Sequence, residues 1–168
     1  DKLLYIFKHE YDRNGNETVI SKLVPSGKGF AIEENTVRKF NSNHQAISCK
    51  KYFKKKAGII TQYKYDTSGH LILEKTLFKE VANADVKQEV KEYSHTDDGN
   101  IKQIKVSGTD KAGKPFLYSQ SYTYDEKGLL TSLKQFNQDG SIWFEKIYKY
   151  LKSGTPSVYE EYDSAGKL

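Results

Sequence analysis

The chain has 168 residues, enough for a single domain with a continuous core. No apolar run approaches the roughly 18 residues that a membrane-spanning helix needs, which excludes such a helix. The formal net charge is +5, but the 27 basic and 22 acidic residues are scattered along the chain, which argues against a nucleic-acid partner.

Residue usage favours a sheet and an extracytoplasmic location. Tyrosine occurs 13 times, and it suits half-buried sheet surfaces because its ring is apolar and its tip is polar. Methionine is absent and the chain begins at Asp1. We therefore expect a mature or trimmed product, most simply one that has lost a secretory signal, in the periplasm, at the outer-membrane surface or outside the cell. Cys49 is the only cysteine, so it cannot form an internal disulfide, and we interpret it as a small buried hydrophobe.

The first part of the chain predicts two strands joined by a tight turn. Residues 3–11 and 17–24 are rich in β-branched and aromatic side chains. Between them, Asp12 and Gly15 form an Asp-x-x-Gly turn. The Asp side chain can accept hydrogen bonds from the following backbone N–H groups, and the Gly can adopt the positive φ that closes a hairpin with a G1 bulge. Residues 24–27, Val-Pro-Ser-Gly, predict a second turn.

Residues 30–48 break this rhythm. The stretch 33–41 carries weak helical character, and 41–44 has the composition of a loop. We expect an irregular segment with one helical turn at most, and an irregular functional loop of the domain would lie here.

From residue 46 onward the chain is a series of strands and short turns. The predicted turn glycines are Gly58, Gly69, Gly99, Gly113, Gly128, Gly140, Gly154 and Gly166. Residues 81–85 supply one further turn without glycine. The unit of about 11 to 15 residues leaves strands of about 8 to 10, and such short turns force antiparallel neighbours. The sequence therefore predicts a single all-β domain, 1–168, built as one antiparallel meander of about 10 to 12 strands.

Alternation within two strands predicts which side chains share a face. The first set on a common face is Phe116, Tyr118, Tyr122 and Tyr124, opposed by Leu117, Ser119, Ser121 and Thr123. The second is Ile142, Phe144, Tyr148 and Tyr150, opposed by Trp143, Glu145, Ile147 and Lys149. We expect a one-sided sheet with a core face and a wetter face. Because twist accumulates, so many strands should curl, close into a barrel or wind as a solenoid.

The recurring motif Tyr-x-Tyr-Asp-x-x-Gly-x-Leu resembles the YD repeat of the Rhs-type family. It reads YKYDTSGHL at 63–71 and YTYDEKGLL at 122–130, with degenerate copies at 93–101, 148–156 and 161–168. The resemblance covers about 60–168. It implies long antiparallel sheets that spiral into shells or lie on cell surfaces. The chain looks more like the short secreted or lipoprotein-like YD-type domains of Gram-negative bacteria, many of which have unknown function.

The sequence predicts no catalytic residue, no metal ligand and no cofactor. His70 and His95 lie in or beside equivalent turns, and they could approach each other only if those turns share an edge of the sheet. The lysine-rich stretch 50–56 has two interpretations, a phosphate-rich partner and, favoured here, protection of an edge strand. The candidate ligand-binding residues are aromatic: Trp143, Tyr63, Tyr65, Tyr122, Tyr124, Tyr148 and Tyr150. Packing within the sheet is the favoured explanation for the tyrosines.

Three functional hypotheses follow. The first is a non-enzymatic secreted or cell-envelope binding module for a glycan or a protein at the cell surface. The second is a structural domain that assembles by pairing its sheet edges with another chain. The third, the least favoured, is an enzyme that uses the 30–48 segment.

Overall fold

A computed structural model describes residues 5–27, 29–54, 56–79, 81 and 84–166. All regular secondary structure in this part of the chain is β-strand. The strands are β1 Ile6–Tyr11, β2 Glu17–Ser26, β3 Gly29–Phe40, β4 Ala46–Phe53, β5 Lys56–Tyr65, β6 Leu71–Phe78, β7 Val86–His95, β8 Ile101–Asp110, β9 Pro115–Tyr124, β10 Leu130–Phe136, β11 Ile142–Tyr150 and β12 Pro156–Asp163.

The strands form one antiparallel sheet whose spatial order is the order of the chain, β1 to β12. Each strand contacts only its neighbours in sequence. In the described residues β1 pairs only with β2 and β12 only with β11, so the curled sheet stays open rather than closing into a barrel. The predicted antiparallel meander is confirmed, and the count of strands is the upper value expected.

The Asp-x-x-Gly turns have the predicted geometry. At residues 125–129 the Asp125 N–H donates to the Leu129 carbonyl oxygen at 2.9 Å, and the Gly128 N–H donates to the Asp125 carbonyl oxygen at 3.0 Å. The Asp125 carboxylate accepts from the N–H groups of Lys127 and Leu129, both at 2.9 Å. Gly128 has φ 77°, the left-handed region that only glycine adopts without strain. The motif therefore encodes a hairpin turn and needs no catalytic explanation.

The expected irregular segment at 30–48 is wrong, because two strands and one more turn of this type occupy it. Asn41 takes the place of the Asp, and its side-chain oxygen accepts from the N–H groups of Asn43 and Gln45, both at 3.0 Å. His44 takes the place of the Gly, with φ 60°. A bulky residue in the left-handed region is uncommon, so the usual turn signal is absent from the sequence here.

The acidic residues that suggested helical character belong to strand β3, where they pair with lysines on neighbouring strands. Glu33 lies 2.7 Å from the Lys22 ammonium group, and Glu34 lies 2.8 Å from that of Lys51. Lys51 is on β4, which pairs on both sides, with β3 and with β5. The interpretation of the lysine-rich stretch as protection of an edge strand is therefore wrong. Lys55 lies outside the described residues.

Two features of the remaining turns complete the chain path. Gly58, expected in a turn, lies inside β5 and is buried, because the Phe53 ring covers the space that a side chain there would need. The turn expected at 81–85 falls where β6 passes to β7, and the Ala84 N–H donates to the Val81 carbonyl oxygen at 3.1 Å. Residues 82 and 83 lie outside the described residues.

The sheet is a single layer. Among the described residues Val106, at 2% exposure, is the only buried apolar side chain, and Cys49 is only half-buried. Val106 is covered by its cross-strand neighbours Lys91 and Tyr118 rather than by a second layer. The expected core face is therefore absent from this part of the chain. Long amphipathic side chains cover one another instead, which uses their apolar stems and leaves their polar ends in water.

Candidate functional site

The six candidate tyrosines lie on one face of the sheet. The register places Tyr63 opposite Glu74, then Lys91, Val106 and Tyr118 in line across five strands. Alternation along β5 and β9 places Tyr65, Tyr122 and Tyr124 on the same face. The register from β9 through β10 to β11 places Tyr148 and Tyr150 there as well. We call this surface the tyrosine face. The prediction that Tyr122 and Tyr124 point the same way is confirmed.

The second tyrosine of each pair holds two neighbouring hairpins together. The Tyr65 hydroxyl donates to the Ala46 carbonyl oxygen at 2.9 Å. The Tyr124 hydroxyl donates to that of Ile101 at 2.9 Å, and the Tyr150 hydroxyl to that of Leu130 at 2.8 Å. In each case the tyrosine ends its strand just before a turn. Its acceptor is the first residue of the preceding strand, just after the previous turn at the same end of the sheet. The second tyrosine of these three pairs is thus explained by a repeated backbone contact.

Replacing Tyr124 by phenylalanine is expected to lower the free energy of unfolding by about 1 kcal/mol, the usual contribution of one hydrogen bond. Tyr11→Phe is the matched control, because the Tyr11 side chain is 62% exposed and its hydroxyl makes no hydrogen bond within the described residues. It should change stability by less than about 0.5 kcal/mol. Urea denaturation followed by circular dichroism measures both, and equal losses in the two variants would contradict the structural role of Tyr124.

The first tyrosine of each pair also contacts neighbouring residues of the sheet. Burial raises the pKa of Tyr63 and that of Tyr122. The Tyr122 hydroxyl donates to the Gln120 side-chain oxygen at 2.9 Å, and the Gln120 amide donates to that of Gln135 at 2.9 Å. The Tyr148 ring packs against Tyr159, with centroids 5.6 Å apart. These rings and hydroxyls are engaged within the sheet rather than presented as a flat stacking platform.

Charges in the middle of the tyrosine face are tied to one another. The Tyr93 hydroxyl donates to Glu74 at 3.2 Å, and burial, followed by the charge of Glu74, raises the pKa of Tyr93. Lys91 lies 3.0 Å from Glu89 and 3.8 Å from Glu74. Burial alone would lower the pKa of Lys91, but its bond to Glu89 and the two carboxylate charges outweigh burial and raise it. The cluster joins β6 to β7 and presents no free acid or base.

Trp143 is the most open of the candidate aromatics, at 56% exposure. The register passes from Gln135 opposite Phe144 to Phe136 opposite Ile142, so Trp143 is the extra residue of a β-bulge. Its ring meets the Phe144 ring edge-on at 5.9 Å, although alternation predicted opposite faces for the two. Ile142, expected beside Phe144, lies opposite Phe136 instead. The bulge breaks the alternation, and nothing in the local pattern indicates it.

The two histidines beside equivalent turns meet at one end of the sheet. The His70 and His95 rings stack with centroids 4.9 Å apart and planes at 25°. The turns beside them, 66–70 and 96–100, are neighbours at the same end of the sheet. This is the arrangement under which the sequence predicts that the two histidines approach each other. His70 Nδ1 also lies 3.2 Å from Asp66. The described part of the chain contains no group of three or more histidine, cysteine or acidic side chains placed to hold a metal ion.

Asp66 should make the fold sensitive to acid. The His70 backbone N–H donates to its carboxylate at 2.8 Å, and this bond, with the one to the His70 side chain, lowers the pKa of Asp66. A carboxyl group whose pKa is lower in the folded state contributes stability above its unfolded pKa, and this is lost as the pH falls through the folded pKa. The free energy of unfolding should therefore decrease between about pH 5 and about pH 2 by less in Asp66→Asn than in the wild type. Urea titrations across this range test it, and identical pH profiles would contradict it.

The two outer strands differ from the interior strands in their backbone pairing. All six residues of β1 are exposed, and they include the apolar side chains of Ile6 and Phe7. Strand β12 exposes Val158 and Tyr159. In the part of the chain that the structure describes, each outer strand has a neighbour on one side only, so its other side presents backbone N–H and C=O groups that can pair with another chain. We call these the β1 edge and the β12 edge, and they are the candidate functional surfaces.

The fold and its edges define an open, single-layer sheet, and one solved structure has a similar fold. No family model and no curated protein matches the sequence. The Photorhabdus luminescens Tc holotoxin pore with a mutated TccC3 has a similar fold, with a TM-score of 0.61 and 13% identity over 86% of this chain and 7% of that chain. The crystal structure of TcdB2-TccC3-TEV aligns with a TM-score of 0.34 and 10% identity, over 94% of this chain and 10% of that one, which is too weak to establish a common fold.

The first of these two comparisons supports the fold and leaves the YD-repeat resemblance resting on the sequence motif. The chain spans only a small part of the toxin chain that it resembles. The described residues contain no helix that could cross a membrane.

Proposed function

We propose that this chain is a structural domain of a larger protein assembly. It joins the assembly when strands of other chains pair with its β1 and β12 edges. The observation that carries the proposal is the contrast between the interior and the edges. Interior strands pair through their backbones on both sides, whereas in the described part of the chain β1 and β12 each pair on one side only. The fold likeness to a component of a multi-chain toxin supports it.

This proposal includes a non-enzymatic role and an extracytoplasmic location. The glycan-binding alternative has less support, because three of its tyrosine hydroxyls are used by backbone carbonyls and Tyr148 packs against Tyr159. Of the seven candidate aromatic residues only Trp143 has an exposed ring, and a single aromatic side chain on a bulge is a weak platform for a sugar. The enzyme alternative loses its predicted loop, since residues 30–48 form strands and a turn.

Self-association should depend on the outer strands. Ile6 on β1 and Ile72 on the interior strand β6 are both 38% exposed, so glutamate at either site costs a similar amount in the isolated chain. A charged side chain on an edge strand opposes pairing, because the added strand would cover its charge. Ile6→Glu is expected to raise the dissociation constant for self-association about tenfold or more, and Ile72→Glu to leave it within about twofold.

Sedimentation velocity over a wide range of protein concentrations measures these constants. A wild-type chain that stays monomeric throughout would refute assembly by edge addition between copies. Equal weakening by both variants would place the contact on a face of the sheet rather than at its edge.

A further inference from the structure

Among the described residues, the Tyr11 hydroxyl lacks the partner that the other tyrosines at its position have. Tyr11 ends β1 just before the Asp12 turn, the position that Tyr65, Tyr124 and Tyr150 occupy on their own strands. Each of those three donates to the first residue of the preceding strand. Within the described residues no strand precedes β1, and the Tyr11 side chain stands exposed. The Tyr11 hydroxyl is thus placed to bond to an added strand that begins directly after a turn.

At the opposite side of the sheet, Pro156 supplies the matching acceptor. It is the first residue of β12 and follows the turn 151–155, as Ala46, Ile101 and Leu130 follow theirs. We propose that the β1 edge binds the β12 edge of a second copy, head to tail, with the Tyr11 hydroxyl donating to the Pro156 carbonyl oxygen. The inference rests on the proposed function and specifies its partner, polarity and register.

The repeated contact determines the register of this junction. In all three examples the acceptor lies one residue beyond the position directly opposite the tyrosine in the strand ladder. The same offset for Tyr11 and Pro156 places Phe7 opposite Tyr159, and Lys8 opposite Val158. Phe7 and Tyr159 both lie on the tyrosine face, while Lys8 and Val158 both lie on the other. A register derived from the hydroxyl contact alone therefore also matches the faces of the two sheets, and it pairs exposed aromatic rings across the junction.

The turns at this end of the sheet support the same polarity. The fifth residue of one turn contacts the fourth residue of the next: Asn16 bonds to His44 at 2.9 Å, and the Gln45 amide donates to the Gly69 carbonyl oxygen at 2.8 Å. In the head-to-tail junction Thr155 would meet Gly15 of the second copy. Gly15 has the same left-handed conformation, and nothing lies within 4 Å of the space beside it. The row of turns would continue across the junction.

Charge disfavours one symmetric alternative. Two β12 strands in contact would bring together two sets of the acids Glu160, Glu161 and Asp163, and like charges on opposed strands repel. In the head-to-tail register Lys8 of one copy is the diagonal neighbour of Glu160 of the other. The junction is heterologous, so the assembly grows as a chain of copies unless its curvature closes a ring.

Engineered disulfides test the register. Directly opposed Cα atoms lie about 4.5 to 5.5 Å apart in an antiparallel pair, which a disulfide can bridge. In a Cys49→Ser background, K8C/V158C should give a ladder of covalently linked copies under mild oxidation. K8C/S157C places the second thiol on the opposite face and should give no ladder. The variant K8C alone should remain unlinked.

The Tyr11 hydroxyl is tested by a second pair of variants. Tyr11→Phe should raise the dissociation constant about fivefold through the loss of one intermolecular hydrogen bond, without changing monomer stability. Tyr52→Phe, which removes a hydroxyl from the interior strand β4, should leave the constant unchanged.

The outcomes separate this inference from the function on which it rests. Association with no K8C/V158C ladder, or with linkage of K8C alone, overturns the head-to-tail register and leaves edge assembly standing. Association insensitive to Tyr11→Phe removes the hydroxyl contact. A wild-type chain that does not associate with itself overturns this inference, and edge assembly then requires a different chain as its partner.

Discussion

Replacing Gly108 by alanine is expected to lower the free energy of unfolding by about 3 kcal/mol, at the upper end of the usual range for overpacking. Gly108 lies inside β8, between Glu89 on β7 and Phe116 on β9. A Cβ atom there would lie 2.1 Å from the Gln88 backbone carbonyl oxygen and 2.6 Å from the Phe116 ring. The ring can turn aside, but the carbonyl belongs to a paired strand and can move only with it.

Gly29→Ala is the matched control for this substitution. Gly29 also lies in a strand, and nothing is within 4 Å of the position that its Cβ would take. That variant should be neutral or slightly stabilising, since alanine reduces the conformational entropy of the unfolded chain. Urea denaturation monitored by circular dichroism compares the two. Similar stabilities for both variants would mean that β7 and β8 approach less closely at Gly108 than the structure indicates.

Truncating Val106 to alanine is expected to cost about 2 kcal/mol, from the transfer of two methyl groups and the cavity that they leave. Val106 is 2% exposed, and the side chains covering it, Lys91 and Tyr118, are amphipathic. The loss would show that lysine stems and tyrosine rings can enclose an apolar side chain as effectively as a second layer does. The cost would be smaller if those flexible side chains collapse into the space.

Val158→Ala provides the comparison, because Val158 is exposed on β12. It should change the free energy of unfolding by less than about 0.5 kcal/mol. Denaturation at a protein concentration where the wild type is monomeric keeps edge association out of the measurement. If Val106→Ala costs no more than Val158→Ala, the cover over Val106 contributes nothing to stability.

Turns and faces could be predicted from the sequence because both depend on local chemistry. An Asp that caps its own turn and a Gly with positive φ act within five residues, as at Asp125 and Gly128. The alternation that placed Tyr122 and Tyr124 on one face is equally local. The turn at 41–45 was not predicted, because other residues take the places of the aspartate and the glycine. His44 adopts the glycine conformation and Asn41 replaces the aspartate.

The absence of a second layer could not be predicted from the sequence. A strand with aromatic residues on one side has the same pattern whether a partner layer or neighbouring lysine stems cover it. The bulge at Trp143 was missed because register depends on the opposing strand, and Gly58 was assigned to a turn because its role depends on Phe53 across the hairpin. The edges were equally hidden, because an outer strand has no special composition: β1 and the interior strand β9 are both rich in aromatic residues.

The strictly sequential pairing of the strands also governs how the sheet forms. Because each strand contacts only the strands before and after it, every stabilising contact joins segments that are close along the chain. Such a molecule behaves as a one-dimensional array with nearest-neighbour coupling, in which a hairpin formed anywhere can grow in both directions. Amide hydrogen exchange should then be fastest in β1 and β12 and slowest near β7 and β8, since opening propagates inward from the ends. A strand added to either end by a neighbouring chain would therefore protect the whole array, with the largest effect on the strands nearest the junction.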